Sequence, residues 1–114
     1  MPYLRIQTNV SPRAGDAATV VKTLSAAVAD MLGKSENYVM VALETDIVMT
    51  FAGSDAPAAY VELKSLNLPE DNTAAYSATL CERISAQLDV PPDRIYISFS
   101  SPARHLWGWN NKVF

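Results

Sequence analysis

Few residues in this chain have the type and setting that chemistry needs, and the first of them is Pro2. The sequence opens MPYLRIQT, a proline directly behind the initiator methionine and at the head of a strand-like run. Pro cannot donate to a β-ladder, so the first position of a strand is one of the few places that accommodate it, and a strand cap is an adequate reading. The sharper reading needs one processing step. Aminopeptidases that remove methionine act on a Met followed by a small residue such as Pro, and excision of Met1 would leave the ring nitrogen as a free secondary amine. Which reading holds depends on what the rest of the chain builds around Pro2. The other candidates are sparse. The single cysteine, Cys81, cannot form an internal disulfide and falls in a helical pattern, where a small core residue is expected. The single histidine, His105, lies in a late loop (Pro102 to Trp107) and reads as a solvated surface group. One His and one Cys exclude a multi-His metal site.

The elements that must position Pro2 are written twice. YLRIQT (Tyr3 to Thr8) matches YVELKS (Tyr60 to Ser65) in residue type at a spacing of 57, and LGKSENYVMVAL (Leu32 to Leu43) matches LDVPPDRIYISF (Leu88 to Phe99) at a spacing of 56. Between the first pair, Val20, Leu24, Val28 and Met31 fall on one helical stripe, and Gly33 is placed to end the helix. Between the second, Tyr76, Leu80, Ile84 and Leu88 recur every four residues, with Pro91-Pro92 beyond them. The chain thus predicts one domain over 1–114 with repeats 1–57 and 58–114, each β-α-β, and with Phe51 to Pro57 as the joint. TDIVMTF (Thr45 to Phe51) reads as a short extra strand after a turn at Asp46. Right-handed crossovers make each strand pair parallel. The expected fold class is α+β, a two-layer sandwich of one four-stranded mixed sheet with both helices on one face.

Strand alternation sends Leu4, Ile6, Val61 and Leu63 toward the helices. It leaves Tyr3, Tyr38, Met40, Tyr60 and Tyr96 on a face with no helix to cover it. Sheets built from βαβ units rarely leave one face wet, so a subunit contact is expected there. The composition narrows the partners further. No apolar stretch approaches the ~18 residues that span a bilayer. The 9 basic and 12 acidic residues are scattered, which argues against nucleic acid or an anionic membrane as partner. No charged start followed by a hydrophobic run heads the chain, so a cytoplasmic protein is expected, with any export independent of a signal peptide.

With this architecture, the chain resembles the tautomerase superfamily, and within it the macrophage migration inhibitory factor and D-dopachrome tautomerase family. The residues that carry the resemblance are Pro2, Thr8 to Val10 (TNV), Pro12 to Ala14 (PRA), Gly33-Lys34 and Tyr38. Further on they are Met49 to Ser54 (MTFAGS), Ser65-Leu66, Pro91 to Ser98 (PPDRIYIS) and Gly108 to Asn111 (GWNN). They recur in order over nearly the whole chain. The resemblance implies a homotrimer whose sheets form a central barrel, with active sites at the subunit boundaries. It implies keto–enol tautomerisation of small aromatic, phenylpyruvate-type α-keto acids, with no metal or organic cofactor. It makes Pro2 the proton shuttle, and Lys34 with Ser65 and the Leu66 backbone the partners of the substrate carboxylate. Tyr38, Trp109 and Phe114 would form an aromatic wall, joined by Tyr96 from a neighbouring subunit.

The chemistry gives those residue types a reason. A general base works best when its pKa lies near the working pH. An α-amine titrates at about 7.7–8.0, and a proline amine is intrinsically more basic. Burial among aromatic groups and a nearby Lys34 charge both disfavour the ammonium form. The chain also departs from its relatives. It reads AAYV (Ala58 to Val61) where the best-known relative carries a CxxC pair, so no thiol–disulfide activity is expected. Ser98 replaces an asparagine, and Trp107 replaces a small aliphatic residue near the pocket mouth; both bear on substrate preference. Two other readings compete. One is a cytokine-like ligand for a protein receptor, with a vestigial pocket. The other is a tautomerase-fold enzyme for a different small acid, with Glu62, Arg5 and Arg104 as unplaced candidates for activating water.

Overall fold

The computed structural model describes residues 1–114. β1 (Pro2–Thr8) leads to α1 (Asp16–Leu32), a 3₁₀ turn at Glu36–Tyr38 and β2 (Met40–Glu44). β3 (Ala59–Ser65) leads in turn to α2 (Thr73–Leu88), a 3₁₀ turn at Pro92–Arg94 and β4 (Ile95–Ser100). A last 3₁₀ turn at Arg104–Leu106 precedes a small hairpin of β5 (Gly108–Trp109) and β6 (Lys112–Val113). The sheet order is β2-β1-β3-β4. The outer pairs are parallel and the central β1/β3 pair is antiparallel, with Pro2 opposite Ser65 and Thr8 opposite Ala59. This is the mixed four-stranded α+β arrangement that the repeats imply.

The hydrophobic pattern explains the layers. Leu4, Ile6, Val61 and Leu63 are inaccessible to solvent and meet Val20, Leu24 and Val28 of α1 and Tyr76, Leu80 and Ile84 of α2. Fully burying one such aliphatic side chain contributes about 1.5–3 kcal/mol. Both helices end in the left-handed region, α1 on Gly33 (φ 63°) and α2 on Asp89 (φ 56°), at corresponding positions of the repeat. Thr8 and Ser65, at the two ends of the antiparallel pair, are buried polar residues, and no buried side-chain polar atom lacks a partner.

The structure corrects two expected strands. Thr45–Phe51 is not one. Asp46 turns through φ 58°, its N–H and that of Ile47 reach Val10 and Thr8 carbonyls, and the chain then leaves the sheet edge. Only an isolated bridge, Phe51 to Ser54, follows. Alternation alone does not make a strand where no neighbour offers a ladder. Tyr38 is not in β2 either. The Ser35 hydroxyl accepts from the Asn37 N–H and the Ser35 carbonyl from the Tyr38 N–H, so the segment closes into a turn and β2 begins at Met40.

Candidate active site

Three segments converge at the start of β1. The left-handed Gly33 folds the chain back at the end of α1, where its N–H reaches the Asp30 carbonyl and the Lys34 N–H reaches that of Ala29 at 2.9 Å. That reversal aims Lys34 at the end of the sheet. Its Nζ donates to the Ser65 Oγ at 2.9 Å and to the Leu66 carbonyl. Ser65 is the cross-strand partner of Pro2, so the Lys34 ammonium lies beside the first residue of β1. Lys34 has no carboxylate partner, because the chain's one ion pair joins Arg5 to Glu44 at 2.8 Å.

The C-terminal segment forms the far wall. Asn110 and Asn111 both adopt positive φ (52° and 64°), the requirement of a tight type I′ hairpin. This turn returns the chain so that the Phe114 ring stacks on Trp109 at 5.8 Å. Trp109 meets the Tyr38 ring edge-on, also at 5.8 Å. A cavity of about 560 Å³ opens here, lined by Pro2, Tyr38, Met40, Trp107 and Trp109 among others. A second, of about 360 Å³, is lined by Lys34, Leu66, Asn67, Arg104 and Phe114. Met1 and Tyr38 border both. Met1 is thus part of the partition between an aromatic chamber and a cationic one, and Pro2 lies buried directly behind it.

The electrostatics at that partition make the amine easier to deprotonate. Burial, then the Lys34 charge and its hydrogen bond, then Arg104, hold the Met1 α-amine below its ordinary value. Burial also lowers Lys34, while its hydrogen bond to the chain's amine opposes that shift. An uncharged amine next to a cation and an aromatic cavity can accept a proton from carbon while the cation holds a carboxylate.

Of the residues expected at the site, Pro2, Lys34, Tyr38, Leu66, Trp107, Trp109 and Phe114 line one of the two cavities. Ser65 borders neither: it is fully buried and holds Lys34 in place. Tyr96 and Ser98 are on exposed positions of β4, with Tyr96 packed on Phe51 at 4.7 Å, and one chain does not bring them to Pro2. Met40, Lys64 and Arg104 border the cavities without having been assigned to the substrate site. Of these, Met40 was expected on the uncovered sheet face, and Arg104 was an unplaced candidate for activating water in the different-acid reading.

The family model for macrophage migration inhibitory factor matches residues 1–114. The chain belongs to the macrophage migration inhibitory factor family. It is 34% identical to a macrophage migration inhibitory factor homolog of Trichuris trichiura, over all of both chains. It is 33% identical to the Mus musculus macrophage migration inhibitory factor, over 100% of this chain and 99% of that one. The crystal structure of a macrophage migration inhibitory factor homologue from Prochlorococcus marinus superposes with a TM-score of 0.91 at 40% identity, covering 98% of each chain. Membership in this family places the chain in the tautomerase superfamily. The one cysteine, Cys81, is free and partly buried.

Proposed function

We propose that the protein is a cofactor-independent keto–enol tautomerase for phenylpyruvate-type α-keto acids, with Pro2 as the base once Met1 is removed. The observation that carries this reading is the chain's amine at the border of an aromatic and a cationic cavity, beside Lys34. The substrate carboxylate pairs with Lys34, held by Ser65 and Leu66, and the ring lies against Tyr38 and Trp109. The neutral Pro2 nitrogen takes a proton from C3. The C–H electrons form the C2–C3 double bond and the carbonyl π electrons move to oxygen. The Pro2 ammonium then returns the proton to that oxygen, giving the enol.

The same reading includes a homotrimer. Its support is the uncovered sheet face, where Met40 is 65% and Tyr96 64% exposed. Exposed aromatic and thioether side chains gathered on one uncovered sheet face favour a subunit contact there. A trimer would let a neighbour supply Tyr96 and Ser98 to the aromatic chamber. Two measurements test the proposal. Purified, Met1-free protein should tautomerise phenylpyruvate at a rate well above the buffer-catalysed one, and should elute at about three times 12.4 kDa. Absence of turnover would leave a receptor-binding ligand as the better account, and a monomer at micromolar concentration would remove the shared site.

A further inference from the structure

The proposed reaction has a charge that Lys34 alone does not match. An α-keto acid enters with one negative charge, on its carboxylate. When the base removes the C3 proton, a second charge develops on the C2 oxygen, two bonds from the first. The cavity that holds Lys34 contains a second cation, Arg104. Arg104 begins the 3₁₀ turn Arg104–Leu106, which is fixed by the Leu106 N–H on the Ala103 carbonyl (2.9 Å) and the Trp107 N–H on the Arg104 carbonyl (3.2 Å). Its guanidinium has no hydrogen bond or ion pair in the chain. No Asp or Glu side chain lines either cavity, although the chain carries 12 acidic residues against 9 basic ones. Arg104 is exposed, but the walls of the two cavities carry three cations, Lys34, Arg104 and Lys64, and no Asp or Glu, a setting that suits a ligand bringing its own negative charge.

We infer that Arg104 is a second substrate-contacting cation of this site, which binds the developing enolate oxygen while Lys34 binds the carboxylate, so that the cleft favours doubly charged acid ends over singly charged ones. The inference rests on the tautomerase reading for its catalytic part. An interaction that strengthens as charge develops stabilises the transition state more than the bound substrate. Arg104 should therefore show in kcat more than in KM.

The binding test needs no turnover. Phenylacetate and phenylmalonate carry the same ring on a singly and a doubly charged end. Calorimetry on the Met1-free protein should give at least about tenfold tighter binding of phenylmalonate, the scale of one added charge-assisted contact. Arg104→Gln should erase that preference and Arg104→Lys should keep part of it. Arg83→Gln, a charge change on the exposed side of α2, should leave it intact. Equal affinities in the wild type, or a preference that survives Arg104→Gln, would overturn the contact. In the phenylpyruvate assay, Arg104→Gln should lower kcat by about tenfold or more with KM within about threefold. A raised KM at unchanged kcat would overturn the enolate role. Absence of turnover in the wild type, with the phenylmalonate preference intact, counts against the tautomerase reading and not against the Arg104 contact.

Discussion

The two ends of the β1/β3 pair are near copies of each other, and they have been put to opposite uses. Pro2 pairs with Ser65 at one end and Ala59 pairs with Thr8 at the other. Each end is met by a helix that stops on a left-handed residue, Gly33 or Asp89, and by a 3₁₀ turn that begins three residues later. The following position is Lys34 in one half and Val90 in the other. Lys34 reaches Ser65 and borders a cavity, while Val90 is inaccessible to solvent. At the Ala59 end the preceding residue, Ala58, is held by the Asn9 amide (2.9 Å) and the Thr8 hydroxyl (2.7 Å). Arg94 clamps the arriving loop through the carbonyls of Phe51, Ser54, Ala56 and Pro57. At the Pro2 end the preceding residue, Met1, borders both cavities, and the corresponding space is open. A duplicated scaffold offers two equivalent sheet ends, and the proposed function uses an amine only at the Pro2 end.

Met1 makes the two ends alike again, because it places an amide on Pro2 just as Ala58 places one on Ala59. The largest expected effect follows. An amide nitrogen has its lone pair delocalised into the carbonyl and cannot act as a base. Protein that retains Met1, verified by intact mass, should lose phenylpyruvate turnover by about 10²–10⁴-fold, the usual contribution of a general base. Fold and assembly should be unchanged, since Pro2 donates no ladder bond in either form. Processed Pro2→Gly, which offers a primary and more flexible amine, should keep a small fraction of the rate. Equal rates from retained and processed protein would return Pro2 to the role of a strand cap.

Exchanging the residues that distinguish the two ends gives the next effect. Lys34→Val should leave the thermal transition within a few degrees of wild type and reduce kcat/KM by about 10²-fold, because it removes the carboxylate partner without opening the core. Val90→Lys places an unpaired ammonium at a fully buried position. It should lower stability by about 3–5 kcal/mol, read as a reduced urea midpoint. Comparable stability losses in the two variants would mean that Lys34 is as structural as Val90.

Much of this comparison was legible in the sequence. The repeat offsets of 57 and 56 align Pro2 with Ala59 and Lys34 with Val90, and the apolar alternation fixes which strand faces meet the helices. What the pattern did not reveal are features set by local hydrogen bonding. Ser35 captures Glu36–Tyr38 in a turn and takes Tyr38 out of the strand, toward Trp109. Thr45–Phe51 has the composition of a strand but no partner in its own chain. Its Val48 is fully exposed. Asn110 and Asn111 belong to the GWNN stretch, yet their hairpin depends on two positive φ angles that a residue name only permits. Arg104 and Lys64 reach the cavities through tertiary placement, which no local spacing encodes.

The brace at the closed end sets the third effect. Arg94 makes four hydrogen bonds to carbonyls and lies 5.1 Å from the centre of the Phe51 ring. Arg94→Ala leaves those carbonyls to water and frees the 51–57 loop, and should cost about 2–4 kcal/mol. Hydrogen exchange should rise at Ala58, whose N–H is held by Asn9 next to that loop. Turnover per folded molecule should stay near wild type, because the clamp lies at the end of the sheet without the amine. A loss of kcat as large as that of Lys34→Val would show that the two ends are coupled.

The smallest effect concerns pH, and it bears on why the open end is cationic. The active form of the base is the neutral amine, so kcat/KM should rise as pH passes upward through its pKa. Burial acts first to hold the terminal amine below its ordinary value, and the Lys34 and Arg104 charges act in the same direction. The Pro2 nitrogen lies next to that amine and deeper in the same partition, so burial and the two charges are expected to act on it in the same direction once Met1 is removed. Removing a positive neighbour makes the ammonium less unfavourable and raises the pKa. In both Lys34→Gln and Arg104→Gln the acid limb of kcat/KM should therefore move to higher pH, further for Lys34, whose charge and hydrogen bond both act on the amine. The deficit of each variant relative to wild type should be widest on the acid side and narrow as pH rises, down to whatever loss of substrate contact remains. A limb that stays fixed in both variants would mean that burial alone tunes the base, and that the two cations at this end act only on the substrate.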